Sequence, residues 1–168
     1  MDDFEGFAAF FAEHGERLSR VAYLLTGDRH AAQDLVQSAL AKAVSRWRRL
    51  ANPDAYVRKV MYHEQVSRWR RRARLSEDAV AELPERAVDD ESERTVRRMV
   101  LAAALAALTP RQRAVVVARY FEDRTEVETA ALLGCSVGTV KTLGHRALAR
   151  LRETVPDLDV DLSRRETV

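Results

Sequence analysis

The sequence predicts an all-α protein of two small helical domains joined by an acidic linker, and three observations carry that expectation. Glycine and proline are scarce, 6 and 4 in 168 residues, while Ala, Leu, Arg and Glu are abundant. Apolar residues recur at spacings of three and four, the period of a helix with one buried face. Helix-start signals recur at Asp28, Asn52-Pro53, Thr109-Pro110 and Ser136, where a short polar side chain can accept an orphan N–H. At this length, with 46% hydrophobic and 32% charged residues, the chain can build real cores but not a large enzyme.

The elements follow in order. Phe4, Phe7, Phe11, Leu18, Val21, Ala22 and Leu25 place one stripe on a first helix that Thr26-Gly27 ends. Asp28 caps a second helix, whose inward face is Ala31, Leu35, Ala39, Val44 and Trp47 or their immediate neighbours. Asn52-Pro53 opens a third, continued by Tyr56, Val57, Val60, Met61 and Trp69. From 75 to 92 the chain has Pro84, many acids and no sustained period, which reads as a solvated linker able to span roughly 60 Å when extended. A helix is expected from Glu91 to Leu108 and another from Arg111 to Tyr120. Within the latter, Val115 to Val117 favours a strand by propensity, but it is short and sits in a helical frame. A short helix from about Thr125 to Leu133 ends at Gly134, Cys135-Ser136 turns the chain, and Ser136 caps a helix from Val137 to about Glu153. Together these make a helix-turn-helix. The expected domains are therefore 1–74 and 93–154, with the linker at 75–92 and a tail at 155–168.

The formal charge of +2 conceals opposed blocks. Residues 42 to 74 hold 11 basic and 2 acidic side chains, net +9, and residues 137 to 152 hold 4 basic and none acidic. Between them, 75 to 93 hold 1 basic and 8 acidic, net −7. Two basic surfaces on one chain point to polyanion partners. In the first block Arg46, Trp47, Arg48, Arg49, Asn52, Tyr56, Arg58, Lys59, His63, Arg68 and Trp69 interleave guanidinium groups with rings. Such a set suits single-stranded nucleic acid, where a ring offers a stacking platform. Each ring taken singly serves equally well as a core residue. In the second block Val140, Ala147, Leu148 and Leu151 face inward, leaving Thr139, Lys141, Thr142, His145, Arg146 and Arg150 as a polar, basic face of the kind that reads a major groove. Two packed helices with a basic surface also occur in proteins that never touch DNA. The linker acids read most simply as a solvated spacer, with a polyanion mimic masking the Arg-rich helix as the alternative.

Other classes find little support. The longest run without a polar side chain, Met99 to Leu108, is half of what a bilayer crossing needs, and the start MDDFEGF is acidic where an export signal is basic. One cysteine permits no internal disulfide, and His14, His30, His63 and His145 are too scattered for a metal site by spacing. No Gly-rich phosphate loop, catalytic triad motif or paired carboxylates can be found, and Cys135 reads as a small apolar filler of the turn. The expectation is a cytoplasmic protein without cofactor or metal, and not an enzyme.

The string Leu108-Thr-Pro-Arg-Gln-Arg-Ala-Val-Val-Val-Ala-Arg-Tyr-Phe-Glu-Asp123, with Ala130-Ala-Leu-Leu-Gly-Cys-Ser-Val-Gly-Thr-Val-Lys141 and Arg146-Ala-Leu-Ala-Arg-Leu-Arg152, resembles region 4 of extracytoplasmic-function sigma factors. Ala32-Gln-Asp-Leu-Val-Gln37 resembles their region 2 polymerase-docking segment, and Asn52-Pro-Asp-Ala-Tyr-Val-Arg58 with Ser67-Arg-Trp-Arg-Arg-Arg72 their promoter-melting segment. The resemblance runs from residue 4 to about 153 and is greatest to small SigE-type factors of actinobacteria. It implies a sigma factor that binds core RNA polymerase, recognises promoter DNA and promotes strand opening. It further implies polymerase contacts at Asp34, Leu35 and Gln37. Minus-ten contacts are implied at Trp47, Arg48, Arg49, Asn52, Tyr56, Arg58, Lys59, His63 and Arg68. Minus-thirty-five contacts are implied at Arg111, Arg113, Ser136, Thr139, Lys141, Thr142, His145 and Arg146. Control falls to a separate anti-sigma factor or to expression level, and the free protein is expected to be a monomer. Three positions depart from the pattern. Leu143-Gly144 follows Thr142 where the family has Arg or Gln, Ser38 stands where many members have an acid, and His63 where Asn is common. Gly144, about 1 kcal/mol poorer than Ala in a helix, is expected to bend or weaken the reading helix. Two other functions compete. A free-standing helix-turn-helix regulator explains only the carboxy-terminal half, and a helical adaptor with basic faces predicts weak DNA binding with or without polymerase.

Overall fold

The computed structural model describes residues 3–75 and 93–155, with side chains at 4–71 and 100–155. The expected acidic linker beyond Leu75 and the tail beyond Val155 lie outside the described residues. Every regular element among the described residues is helical, and the chain divides into two compact units, Met1–Val80 and Ala81–Val168.

In the first unit α1 (Asp3–Thr26), α2 (Arg29–Val44) and α3 (Pro53–Leu75) pack pairwise around one core, with a single 3-10 turn at Trp47–Arg49 between α2 and α3. The helix ends are set locally. Gly27 adopts φ 72° after α1, the left-handed conformation in which a Cβ is penalised. The Asp28 carboxylate accepts from the Ala31 N–H at 2.7 Å and Asn52 Oδ1 from the Ala55 N–H at 3.0 Å, each satisfying one orphan donor of the following helix. The core joins Leu18, Val21, Ala22 and Leu25 to Leu35, Val36, Ala39 and Leu40, and to Val57, Met61 and Tyr62.

The inward face at the start of α1 differs from the expected one. Phe4 and Phe11 are 75% and 47% exposed, and Phe10 is buried instead. Phe7 and Phe10 take the inward positions because both pack on Trp47. Val44 is also exposed, because α2 ends there and Trp47 starts the separate turn rather than continuing the helix.

The second unit holds α4 (Glu93–Ala106), α5 (Pro110–Val116), α6 (Glu126–Leu133) and α7 (Val137–Thr154), with α7 packed on the other three. Val115 to Val117 are helical: a reciprocal capping box between Thr109 and Gln112 starts α5, and the backbone leaves it through one π-helical turn, Val117–Phe121. Ala114 to Ala118 are all buried, as are Leu105, Leu108, Leu148 and Leu151.

Candidate nucleic-acid interface

The basic block of the first unit is built on the α2–α3 connection. Arg46, Arg48 and Arg49 are exposed, whereas Trp47 is half-buried. Its ring meets Phe7 edge-on, with centroids 5.3 Å apart at 86°, and Phe10 at 5.4 Å and 61°. A Cβ at Gly6 would lie 3.1 Å from the indole Nε1, so glycine there lets α1 close on the ring. Of the two readings left open for Trp47, packing is the one its surroundings satisfy. Further along, Asp54 accepts from Arg58 Nε at 2.8 and 3.0 Å, and its Oδ1 lies 3.7 Å from His14 Nδ1. His14 in turn lies against Phe10, with centroids 4.7 Å apart, so Asp54 fastens the start of α3 to α1. Lys59, His63, Arg70 and Arg71 are exposed on α3, while Tyr56, Arg68 and Trp69 are half-buried. Between α2 and α3, Glu64 Oε1 accepts from Ser38 Oγ at 2.9 Å and from Lys42 Nζ at 2.6 Å, and its Oε2 lies 3.7 Å from Arg68 Nη2.

The second unit presents the helix-turn-helix. Thr125 and Glu128 form a capping box at the start of α6, with the Thr125 N–H donating to Glu128 Oε2 at 2.7 Å and the Glu128 N–H to Thr125 Oγ1 at 3.1 Å. The Thr125 backbone and hydroxyl bonds, with the nearby Arg124 charge, hold the Glu128 carboxyl below its ordinary range. Gly134 takes φ 64°, and the Cys135 N–H donates to the Ala130 carbonyl at 3.1 Å, closing α6. Ser136 Oγ then accepts from the Thr139 N–H at 3.1 Å and opens α7. Val115, Ala130 and Val140 form the hinge core, with Leu133, Cys135, Val137 and Leu143 packed against it. Lys141, Thr142, His145, Arg146 and Arg150 are exposed on α7, and no acid occurs between Val137 and Arg152. Lys141 Nζ lies 3.6 Å from Glu126 Oε2 on α6. The helix runs unbroken through Gly144, where a Cβ would meet Val115 Cγ1 at an ordinary 3.8 Å. Among the described residues no group of His, Cys, Asp or Glu could hold a metal ion, and no helix is long and apolar enough to cross a membrane.

Two family models match this chain in order: Sigma-70 region 2 at residues 10–75 and Sigma-70 region 4 at residues 98–151. The RNA polymerase sigma-E factor of Streptomyces coelicolor is 44% identical over 160 residues, 92% of this chain and 89% of that protein. The chain belongs to the sigma-70 family of RNA polymerase sigma factors. The ECF RNA polymerase sigma factor SigL of Mycobacterium tuberculosis is 31% identical over 159 residues, 90% of each chain. Among solved structures, the sigma factor RpoE of Bartonella quintana, in complex with the anti-sigma factor NepR, matches with a TM-score of 0.72 and 25% identity over 91% of this chain and 98% of that one.

Within this sigma factor three of the residues assigned from the resemblance are not where a contacting side chain would be. Leu35 is fully buried in the region 2 core, since position 35 falls on the inward face of α2; its neighbours Asp34 and Gln37 are exposed. Arg58 is 2% exposed and held by Asp54, so it lies within the packed unit rather than on the surface carrying Lys59. Arg113 is 8% exposed, and its Nε donates to the Leu105 carbonyl at 2.9 Å. Burial lowers its pKa by desolvating the charged form. Arg111 is half-buried, and Asn52 and Ser136 are exposed but already accept the N–H groups that start α3 and α7. Sequence reading passed over Glu64 and Glu126. The i, i+4 spacings Ser38/Lys42 and Glu64/Arg68 were available as a signal for the first, whereas the Glu126–Lys141 pair joins two helices across the turn and leaves none.

Proposed function

We propose that this sigma factor binds core RNA polymerase through the exposed Asp34 and Gln37 of α2 and brings both basic faces to promoter DNA. Region 2 takes the minus-ten element with Arg48, Arg49, Asn52, Lys59 and His63 at its surface, and with the half-buried Trp47, Tyr56 and Arg68 framing them. Extracting a base from the duplex costs a few kcal/mol, which stacking and phosphate contacts offset. Region 4 lays α7 in the minus-thirty-five major groove through Ser136, Thr139, Lys141, Thr142, His145 and Arg146, with Arg111 at the backbone. The observation that carries this is the acid-free exposed face of α7, set by Gly134 and Ser136, in a chain whose residues 10–75 also match Sigma-70 region 2. The protein works in the cytoplasm as a monomer before it joins polymerase, and selects and opens promoters by binding, with no chemistry of its own. By analogy with RpoE and NepR, an anti-sigma factor is the expected controlling partner. A free-standing regulator or an adaptor leaves residues 10–75 without a role.

The test is run-off transcription with core polymerase on fragmented genomic DNA, comparing wild type with Asp34→Arg and Lys141→Glu. Polymerase-dependent transcripts lost in both variants are expected. Duplex binding by the protein alone with no retention on polymerase would overturn the reading.

A further inference from the structure

Ser38 and Lys42 on α2 and Glu64, Arg68 and Arg71 on α3 line one open concave surface of region 2. The spacings i, i+4 on α2 and i, i+4, i+7 on α3 put each set on one stripe of its helix. Three cations therefore share the surface with one carboxylate, and that carboxylate sits at the floor, 15% exposed. Glu64 engages Lys42 and Arg68 from below, yet the two keep 54% and 36% of their side-chain surface in solvent. An ammonium carries three donors and a guanidinium five, so a single carboxylate leaves most of them available. Glu64 is thus a positioning residue: it holds two mutually repelling cations side by side with their free donors outward, and the Ser38 hydroxyl, donating to Glu64, fixes the carboxylate.

We propose that this surface is a phosphodiester-binding site, which takes a backbone phosphate of the DNA strand that region 2 engages. The proposal rests on the promoter-binding reading and extends it to Lys42, outside the quoted strings, and to Arg71, within the Ser67–Arg72 string. A tetrahedral, multiply accepting anion matches donors that converge from two helices. The surface is too open to desolvate a small free anion, so retention depends on a strand anchored elsewhere along the basic block of residues 42 to 74.

The test uses the full chain and a fluorescein-labelled single strand, dT20, with anisotropy read from 50 to 300 mM KCl. For single strands the slope of log K against log[KCl] changes by about 0.7 per phosphate contact. Lys42→Gln and Arg71→Gln are each expected to flatten the slope by about that amount. Arg20→Gln, an exposed arginine of α1 paired with Glu16, is expected to leave it unchanged. Slopes unaltered in both groove variants while Arg48→Gln flattens its own would overturn this site and leave the promoter reading standing. Salt-independent binding by wild type would overturn both. Loss of core-polymerase retention in Lys42→Gln and Arg71→Gln at unchanged slope would overturn the site in favour of a protein-docking surface.

Discussion

In the proposed DNA complex the Glu126 carboxylate would compete with DNA for Lys141, and removing it should tighten duplex binding by a predictable amount. The ammonium and carboxylate are 3.6 Å apart, with 58% and 36% of their side chains exposed. At that distance Coulomb's law gives about 1 kcal/mol in bulk-water dielectric, and exposed pairs measured by double-mutant cycles contribute roughly 0.2–1 kcal/mol. A DNA contact that must first release Lys141 forfeits that amount, so Glu126→Gln should strengthen binding by about 1.4- to 5-fold. The assay is anisotropy of a labelled duplex at 50 mM KCl with four proteins: wild type, Glu126→Gln, Lys141→Ala and the double variant. The gain is expected in the wild-type background and should nearly vanish in Lys141→Ala, because the carboxylate acts through that one amine. Equal gains in both backgrounds would refute the reasoning, since they would show a general effect of net charge; no gain in either would refute it as well.

Other consequences can be read as stability. Gly134→Ala forces a Cβ onto φ 64° with nothing within 4 Å to help or hinder it, so a purely backbone penalty of about 1–2 kcal/mol is expected by urea denaturation. Gly144→Ala meets only an ordinary contact with Val115 and should stabilise by up to about 1 kcal/mol. Arg113→Met removes the charged one of two donors to the Leu105 carbonyl and should cost about 1–3 kcal/mol while leaving the salt slope of DNA binding intact. Because the folded state holds the Glu128 carboxyl below its ordinary value of 4.5, the unfolded chain binds its proton first as pH falls. The stabilisation is therefore fully present above that pH and is lost as pH drops through the lower folded value; Glu128→Gln should flatten that acid limb of a thermal-denaturation pH series.

What the sequence revealed about the fold follows the range of the interactions. Asp28, Asn52, Thr109 and Ser136 were legible as helix starts because each bonds an N–H three residues on, within one glance of the chain. Gly134 was legible because the positive φ that ends a helix is a local preference of glycine. The inward face of α1 was not: phenylalanines at 4, 7, 10 and 11 permit more than one stripe, and the choice is made by Trp47, far along the chain. In the site, the exposed face of α7 followed from the helix period alone, whereas the carboxylates that hold Lys42 and Lys141 arrive from other helices.

Arginine is the residue type on which sequence reading is least discriminating here, because the same side chain serves outward binding and inward fastening. Arg113 and Arg58 both lie in basic, motif-bearing strings, yet each secures a helix terminus. Arg113 reaches the Leu105 carbonyl in the last turn of α4, which also accepts from the Leu108 N–H at 3.1 Å, and Arg58 grips Asp54 in the first turn of α3. Neutralising either would weaken promoter binding indirectly, by loosening the unit that carries the interface, and a simple loss-of-binding screen would score both as DNA contacts. The salt slope separates the two roles: a lost phosphate contact flattens it, while a loosened scaffold lowers affinity at every salt concentration and lowers the unfolding temperature with it. Charge counted along this sequence therefore overstates the interface, and the surface positions Arg48, Arg49, Lys59, Lys141 and Arg146 are the ones on which both readouts should agree.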